Sequence, residues 1–499
     1  MIEMTRRGFV SSAAILPVAL GSVSALAAPA SAVAAVADAS NVNAANSKLY
    51  KHMVSVTALA ETLAAGEKVL GVAIEYDDDV DASSLDAGGG GIGMQAKQKG
   101  LGTYFALGRS ITDVYVNSKP ARSEKRPKKG TYVIVEFDNT DANARTLLFQ
   151  CSRGSVGCDA PVPLGTSTVR ICQLKDIKFA SGKKAAGDST QTRYATSAKV
   201  LNKAADRFVH GSYNDKKTGC HLDYMLCEPK KKKDGKKYPL VLFLPDAGVT
   251  SNDADINLRQ GLGALSWAAD GNCYVLTVAG ACSDIDACLA LVSKLKKDGH
   301  AIDSKRLYGT GESAGCMALI DYSAQHTDDN AFAALFLVSG QGNMTPISKT
   351  PMFVMVSEDD ESSYGGMTAE DKGLSSIGVP VVDVQVDASY DYTGEGQTSG
   401  LWEDFAASGK DNPSGNQNGA KEASTTRTLA DVLSEMEATA STAIADTASQ
   451  GAHVVFMHIA EGTLDGTDSS VPEGNSHNFT WQYAYQIPSI RAWIYQQKL

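Results

Sequence analysis

The sequence has 499 residues, of which 43% are hydrophobic and 21% are charged, and its formal net charge is -11. This length and composition are typical of a globular protein of two or three domains, and they exclude a globally disordered chain. The acidic balance argues against a general nucleic-acid binder and gives no reason to expect attachment to anionic lipid.

A twin-arginine export signal is predicted at the N-terminus. Arg6 and Arg7 precede a short apolar run, and small residues that suit signal cleavage follow within 25–32. Because the run is short and flanked as a leader is, it indicates a signal peptide rather than a membrane span, and we exclude residues 1–35 from the fold. We therefore expect a secreted or extracytoplasmic protein with no integral membrane segment after cleavage.

All nine cysteines follow the predicted leader, and export permits disulfides. Cys151 with Cys158, and Cys220 with Cys227, are close enough in sequence to form local bridges, and the odd count leaves at least one thiol over. No Cys-x-x-Cys pair occurs and the eight histidines are scattered, so the sequence predicts neither a zinc site nor another metal or organic cofactor.

Short β-rich runs dominate residues 66–180 and predict an antiparallel sandwich domain. The lead-in segment before it, residues 36–65, is polar and alanine-rich, and a helix is predicted near 49–63. The runs are rich in β-branched and aromatic residues and are bounded by Gly, Pro, Asp or Asn. They cover residues 69–76, 110–116, 130–137, 145–150 and 168–172. The glycine-rich stretch 88–93 lacks a strand-then-helix context, which favours a hairpin tip over a phosphate cradle.

A linker rich in Ala, Lys, Ser and Thr is predicted over residues 181–205, and a second domain over 206–499. Continuous apolar runs in the second domain lack alternation, which is typical of strands buried on both faces of a parallel sheet. These runs cover residues 238–245, 273–279, 332–338, 351–357 and 453–458. Helical stretches such as 284–298 and 425–450 separate most of them, so the pattern predicts an α/β fold with a doubly wound, mostly parallel sheet.

Gly311-Glu-Ser-Ala-Gly315 falls at the end of a predicted strand within this series. The Gly-x-Ser-x-Gly pattern is typical of a nucleophile elbow, in which the serine occupies a sharp strand-to-helix turn and the flanking glycines avoid collisions with the backbone. Ser313 is therefore the candidate nucleophile, at the carboxyl edge of the sheet where such folds place their sites.

A hydrolytic serine needs a base to take its proton and an acid to orient that base, in the chain order Ser, Asp or Glu, His. Four consecutive carboxylates, residues 358–361, follow the predicted strand 351–357, and His477 lies in a predicted loop between the strand 453–458 and a terminal helix. This order predicts His477 as the base, with His458 as the alternative. The spacing by itself leaves the choice among the carboxylates open.

Five segments of the second domain are similar to the polyhydroxybutyrate-depolymerase-type esterases of the α/β-hydrolase superfamily, in the group that carries an N-terminal immunoglobulin-like domain. The segments are residues 238–248, 258–268, 311–315 with 338–341, 357–367, and 477–485 with 490–493. The β-rich region 66–180 resembles the immunoglobulin-like domain of that family. The resemblance implies a serine esterase that works through an acyl-enzyme intermediate without a cofactor.

The resemblance also implies the acid and the oxyanion hole. The segment of the family that holds its acid aligns with Asp360, whereas Asp359 stands where the family has glycine and remains the alternative. Relatives commonly have histidine at the position of Pro245, and proline has no amide to donate. One oxyanion donor is then the backbone N–H of Ala314, and the other is that of Asp246, Ala247 or Gly248, of which we favour Ala247.

Residues 389–427 form a long insertion between the acid and the base, rich in Gly, Ser, Asn and Gln. A disordered insertion and a lid over the site, with Trp402 as an apolar contact, both remain open. We also assign Glu312 and Trp481, close in sequence to the serine and the histidine, to substrate binding. The expected substrate is a small-molecule or polymeric ester. A serine peptidase of prolyl-oligopeptidase type and a non-catalytic surface-binding protein on a hydrolase scaffold are the alternatives.

Overall fold

The computed structural model describes residues 31–64, 66–85, 102–123, 125–141, 143–148, 162–163, 167–230, 232–233, 235–247, 253–279, 284–386, 429–464 and 476–499. No helix within these ranges is both long enough and apolar enough to cross a membrane.

A helix, two larger β-sheets and two short two-stranded sheets form the N-terminal domain within the described residues. Its elements are α1 Ser31–Leu49, β1 Met53–Leu63, β2 Gly66–Asp81, β3 Tyr104–Ala106, β4 Ile111–Asn117, β5 Lys129–Phe137, β6 Leu147–Leu148, β7 Val162–Pro163, β8 Arg170–Gln173, β9 Ile177–Lys178, β10 Lys184–Ala185, β11 Ala195–Thr196 and β12 Lys199–Asn202. The larger sheet has the order β12-β1-β2-β5-β4, and β11-β8-β3 form the second. Apolar side chains from both sheets share one core, including Val56, Val72, Val135 and Ile171, as expected for a sandwich.

The helix predicted near 49–63 is wrong, because residues 53–63 form β1 and the helix ends at Leu49. A short apolar run fits a buried strand as well as a helix, and periodicity alone does not separate the two. Strand pairing decides the outcome here, since β1 is hydrogen-bonded to β2 on one side and to β12 on the other.

The residues predicted as a linker, 181–205, also contribute to the N-terminal domain. β12 pairs in parallel with β1. Next to it, the Asn202 amide Nδ2 lies 2.6 Å from Glu67 Oε2, and the guanidinium Nη1 of Arg259 from the second domain lies 2.6 Å from the same oxygen. A partly buried ion pair thus joins the two domains beside Asn202, a residue of the predicted linker.

A nine-stranded sheet organises the second domain. Its strands are β13 Phe208–Asn214, β14 His221–Cys227, β15 Tyr238–Leu244, β16 Tyr274–Val278, β17 Ile302–Glu312, β18 Ala334–Val338, β19 Met352–Ser357, β20 Val381–Val386 and β21 Val454–Ile459. The helices are α2 Ala254–Leu258, α3 Gly263–Asp270, α4 Ile285–Lys297, α5 Ala314–Gln325, α6 Glu361–Ser376, α7 Leu429–Gln450, α8 Ser476–Ala484 and α9 Pro488–Ile494. The strand order is β13-β14-β16-β15-β17-β18-β19-β21-β20, and the pairs from β16 to β20 are parallel.

Both faces of this sheet are covered by helices, which explains the continuous apolar strands. Successive side chains of a strand point to opposite faces. In β15, Val241 and Phe243 pack in the core that contains Trp267 of α3, whereas Leu240 and Leu242 pack in the core on the other face. The predicted fold class, an α/β-hydrolase preceded by a β-sandwich domain, is confirmed.

The carboxyl ends of the central strands lie at one edge of the sheet. Leu244 at the end of β15 pairs with Gly311, Glu312 pairs with Val338, and Ser357 pairs with Ile459. The turns that follow β15, β17, β18, β19 and β21 therefore leave the sheet side by side. This register brings together segments that are far apart in the sequence.

The local disulfide suggested for Cys220 and Cys227 does not form. Cys220 precedes β14 and Cys227 is its last residue, so the length of a strand separates them. Seven residues of extended chain span roughly 23 Å, far beyond the separation of about 7 Å that a disulfide tolerates. Cys151 and Cys158 lie outside the described residues.

Candidate active site

Ser313 lies in a strained turn between β17 and α5. Its φ of 50° and ψ of -115° fall in a region that non-glycine residues rarely occupy, at a cost of about 1–3 kcal/mol. Two backbone hydrogen bonds hold the turn. The N–H of Ser313 donates to the carbonyl of Val338 at 3.0 Å, and the N–H of Met317 donates to the carbonyl of Ser313 at 3.0 Å. The half-buried serine is thus projected from the edge of the sheet.

The two glycines of the pattern are required by close backbone approaches. A Cβ atom on Gly311 would lie 2.4 Å from the carbonyl carbon of Gly315, across the turn. A Cβ atom on Gly315 would lie 2.3 Å from the carbonyl oxygen of Leu244 and 2.7 Å from that of Pro245. The start of α5 therefore packs directly on the backbone that leaves β15, so the serine turn and the neighbouring loop share one rigid contact.

The structure brings Ser313, His477 and Asp360 into one hydrogen-bonded chain. The imidazole Nε2 of His477 lies 2.9 Å from Ser313 Oγ, and its Nδ1 lies 2.5 Å from Asp360 Oδ2. His477 is 8% exposed and Asp360 7% exposed. In such an arrangement the histidine can accept the serine proton on Nε2, while the carboxylate orients the ring through the Nδ1 proton.

Asp360 is held in place because it also caps a helix. Its Oδ1 accepts the backbone N–H of Ser363 at the start of α6. The hydroxyl of Ser363, which lies 3.4 Å from His477 Nδ1, donates to the carbonyl of Ser339 at 3.2 Å. Ser363 and Ser339 were not singled out from the sequence. The spacing Asp-x-x-Ser is typical of a helix N-cap, and this pattern could have identified Ser363 from the sequence.

The alternatives for the acid and the base have other partners. The carboxylate of Asp359 accepts the backbone N–H of Gly462 at 2.9 Å, which anchors the chain just after β21. The ring nitrogen Nδ1 of His458 lies 2.7 Å from Glu358 Oε1. Neither residue is hydrogen-bonded to Ser313 or His477 in the described residues. The geometry therefore favours Asp360 over Asp359 and His477 over His458.

The proposed oxyanion donors border the serine on two sides. Ala314 is the first residue of α5, and the first N–H groups of a helix have no acceptor within the helix. Ala247 is exposed in the turn that follows β15. The contact between Gly315 and the backbone of Leu244 and Pro245 keeps this turn beside the helix start. An anionic oxygen beside the start of α5 would meet the positive end of the helix.

Glu312 and Trp481, which the sequence analysis assigned to substrate binding, are both buried. Glu312 is 7% exposed, and burial together with the nearby carboxylate of Asp246 raises the pKa of its carboxyl group well above the usual value. Trp481 is 4% exposed and packs edge-on against the ring of His477, with 4.9 Å between the ring centroids. Because α8 places residues 477 and 481 on the same face, the tryptophan supports the histidine from one turn below.

Two further expectations concern the surroundings of the site. Trp402 and the insertion 389–427 lie outside the described residues. Within the part of the chain that the structure describes, no group of three or more His, Cys, Asp or Glu side chains is arranged to hold a metal ion.

The fold and the serine turn define an α/β-hydrolase architecture, and comparison with known proteins agrees. Over 89% of this chain and 100% of the other, the structure is similar to the crystal structure of a thermostable esterase, with a TM-score of 0.61 and 20% sequence identity. Weaker matches include FphF, a fluorophosphonate-binding serine hydrolase of Staphylococcus aureus. That match has a TM-score of 0.29 and 14% identity, and covers 35% of this chain and 87% of the other.

Residues 55–186 match the family described as the esterase Ig-like N-terminal domain, so the N-terminal domain belongs to that family. No curated protein matches the chain significantly in sequence. The domain match and the shared fold together confirm the resemblance drawn from the sequence, that of an esterase-type α/β-hydrolase with an immunoglobulin-like N-terminal domain.

Proposed function

We propose that this protein is an exported serine esterase that hydrolyses carboxylic esters. The observation that carries the proposal is the chain of hydrogen bonds from Asp360 through His477 to Ser313 on a strained strand-to-helix turn. An esterase Ig-like domain at the N-terminus supports the ester as substrate class. The twin-arginine pattern in the first residues supports export.

In the acylation step, His477 takes the proton of Ser313 while Oγ forms a bond to the carbonyl carbon of the ester. The tetrahedral intermediate carries its negative charge on the former carbonyl oxygen, which the amides of Ala314 and Ala247 stabilise. As the bond to the leaving alkoxy group breaks, the protonated histidine returns its proton to that group. Asp360 remains ionised and stabilises the imidazolium throughout.

In the deacylation step, a water molecule attacks the acyl-enzyme. His477 takes a proton from the water, the new bond forms at the acyl carbon, and the bond to Ser313 Oγ breaks. The proton returns to the serine and a carboxylic acid leaves. The expected substrate is a small-molecule or polymeric ester.

Labelling with a fluorophosphonate together with hydrolysis of p-nitrophenyl acetate tests this function. We expect the wild type to label and to turn over the ester, and Ser313→Ala to lose both. Ser376→Ala, at an exposed serine whose hydroxyl donates to the carbonyl of Gly373, is the matched control and should behave as the wild type. A wild type without labelling and turnover would refute the esterase proposal. Equal labelling of Ser313→Ala would remove this serine as the nucleophile.

A p-nitroanilide with the same acyl group separates an esterase from a peptidase. Both substrates pass through the same acyl-enzyme, but the amide has the poorer leaving group. We expect the ester to be turned over much faster than the anilide. A kcat/KM for the anilide equal to or above that for the ester would contradict the proposal.

A further inference from the structure

A buried serine hydroxyl lies beside the hydrogen bond between the acid and the base. Ser363 is in the first turn of α6 and is 5% exposed. Its Oγ lies 3.4 Å from Nδ1 of His477, the ring nitrogen that also lies 2.5 Å from Asp360 Oδ2. Acylation and deacylation through Ser313, His477 and Asp360 leave this hydroxyl without a role.

The carbonyl group of Ser339 determines the direction of the hydroxyl. Ser363 Oγ donates its proton to the carbonyl oxygen of Ser339 at 3.2 Å. A hydroxyl group has a single proton and two lone pairs, so the side of the oxygen that faces Nδ1 of His477 carries a lone pair. The proton of that contact must therefore be on Nδ1, where the carboxylate of Asp360 and the hydroxyl of Ser363 both accept it.

Ser339 is itself fixed where the sheet meets the serine turn. It is fully buried, its φ is 46°, and its N–H donates to the carbonyl of Met355 at 3.0 Å. Val338, the residue before it, accepts the N–H of Ser313 at 3.0 Å. Two successive carbonyl groups at the end of β18 therefore hold the nucleophile turn and the hydroxyl beside the base.

The position of the ring proton decides whether His477 can act as a base. A neutral imidazole has one N–H and one lone pair. With the proton on Nδ1, the lone pair is on Nε2, which lies 2.9 Å from Ser313 Oγ. When Nε2 takes the serine proton the ring becomes cationic, and acceptors at Nδ1 then bind more strongly. A second acceptor at Nδ1 therefore favours both the reactive tautomer and the transition state.

We propose that Ser363 is a positioning residue, whose hydroxyl accepts the Nδ1 proton of His477 together with Asp360 and keeps Nε2 directed at the nucleophile. This inference rests on the proposed esterase function. Because His477 acts in both acylation and deacylation, loss of the hydroxyl slows both steps together. It should therefore lower kcat and leave KM nearly unchanged.

Ser363→Ala removes the hydroxyl but keeps the backbone N–H that caps Asp360. Alanine is smaller than serine and favours a helix, so the variant should fold. We expect kcat for p-nitrophenyl acetate to fall about 10-fold, as for the loss of one hydrogen bond, with KM within about 2-fold of the wild type. A kcat within about 2-fold of the wild type would overturn the proposal.

Ser362→Ala is the matched control for this substitution. Ser362 precedes Ser363 in the first turn of α6, and it is exposed. The same change of residue type in the same helix turn should leave kcat at the wild-type value. An equal fall of kcat in both variants would show that the loss arises from the helix and not from the contact with His477.

A double-mutant cycle with Asp360→Asn separates a positioning role from a general structural one. The side-chain amide of asparagine donates a proton to Nδ1, so the ring takes its other tautomer and Nδ1 has no proton to offer. We expect Ser363→Ala to lower kcat less than about 2-fold in this background, against about 10-fold in the wild type. The same fold loss of kcat in both backgrounds would refute the positioning role.

Proton NMR gives a readout that does not need activity. A proton held between a buried imidazole and a carboxylate resonates far downfield of the amide protons, and a His477→Ala variant assigns the resonance by its loss. We expect Ser363→Ala to move the Nδ1 resonance and Ser362→Ala to leave it in place. A resonance at the same position in Ser363→Ala and the wild type would contradict a contact at Nδ1.

The two proposals fail in distinguishable ways. A wild type that neither labels nor turns over an ester, but whose Nδ1 resonance moves in Ser363→Ala, would refute the esterase function alone. An active wild type whose kcat and Nδ1 resonance are both unchanged in Ser363→Ala would refute the positioning role alone.

Discussion

Replacing Gly315 with alanine tests whether the close contact between α5 and the loop after β15 shapes the active site. The added Cβ atom would lie 2.3 Å from the carbonyl oxygen of Leu244 and 2.7 Å from that of Pro245. Relieving the shorter contact to 3.0 Å, below which Cβ atoms are essentially never found, requires a movement of about 0.7 Å. Both partners are backbone atoms, so the strain cannot be relieved by a side-chain rotation.

We expect this movement to cost about 1–3 kcal/mol of stability, as overpacking does, and to displace the amide of Ala247 from the oxyanion. A misplacement of about 1 Å in a catalytic group costs on the order of 100-fold in rate. Gly315→Ala should therefore lower kcat for p-nitrophenyl acetate about 100-fold, with a small change in KM. Urea unfolding should give the loss of stability in parallel.

Gly365→Ala is the matched control for this experiment. Gly365 lies in α6, it is exposed, and an added Cβ atom there would meet nothing within 4 Å. Alanine favours a helix over glycine by about 1 kcal/mol, so this variant should be slightly more stable and fully active. A Gly315→Ala enzyme with wild-type stability and a kcat within about 3-fold of the wild type would refute the reasoning.

Two further substitutions have defined expectations. Asp360→Asn should lower kcat for the ester about 10⁴-fold, because the ring of the base loses its orienting carboxylate. Asp359→Asn disturbs only a loop anchor and should lower kcat less than about 10-fold in the same assay. Equal losses of kcat in both variants would contradict the assignment of Asp360 as the acid. Glu67→Ala should lower the free energy of unfolding by about 1–3 kcal/mol in urea, because the buried amide of Asn202 loses an acceptor and Arg259 is left with Asp255 and Asp206 as partners. As a control, Lys294→Ala breaks an exposed ion pair and should leave the free energy of unfolding unchanged. An unchanged free energy of unfolding for Glu67→Ala would show that the contact between the domains contributes nothing to stability.

Local patterns in the sequence predicted the second domain well. The strands of a sheet covered on both faces are continuously apolar, and this signal does not depend on distant residues. The serine pattern was equally local, because Gly311 and Gly315 are needed to avoid collisions within a single turn. The serine follows β17, the carboxylates follow β19 and the histidine follows β21. Their order along the chain is therefore the order of these strands in the sequence.

Predictions failed where a partner from elsewhere in the chain decides the structure. Residues 53–63 were predicted as a helix, but they form the strand between β2 and β12. Residues 199–202 were predicted as linker because their composition is polar, yet they pair with β1 about 140 positions earlier in the chain. Strand pairing of this kind has no signature within the segment itself.

The sequence by itself determined the class of the fold, the serine turn and the candidate nucleophile, because these depend on neighbouring residues and on backbone sterics. The spacing left the four adjacent carboxylates open, and the family resemblance favoured Asp360. The tertiary structure adds a geometric reason, since the Asp360 carboxylate caps α6 and faces His477 while Asp359 accepts the backbone N–H of Gly462. It also places His477 in α8 and not in the loop predicted for it. The direction of a side chain at the end of a strand follows from the turn and from packing against distant segments, and a linear pattern does not contain either.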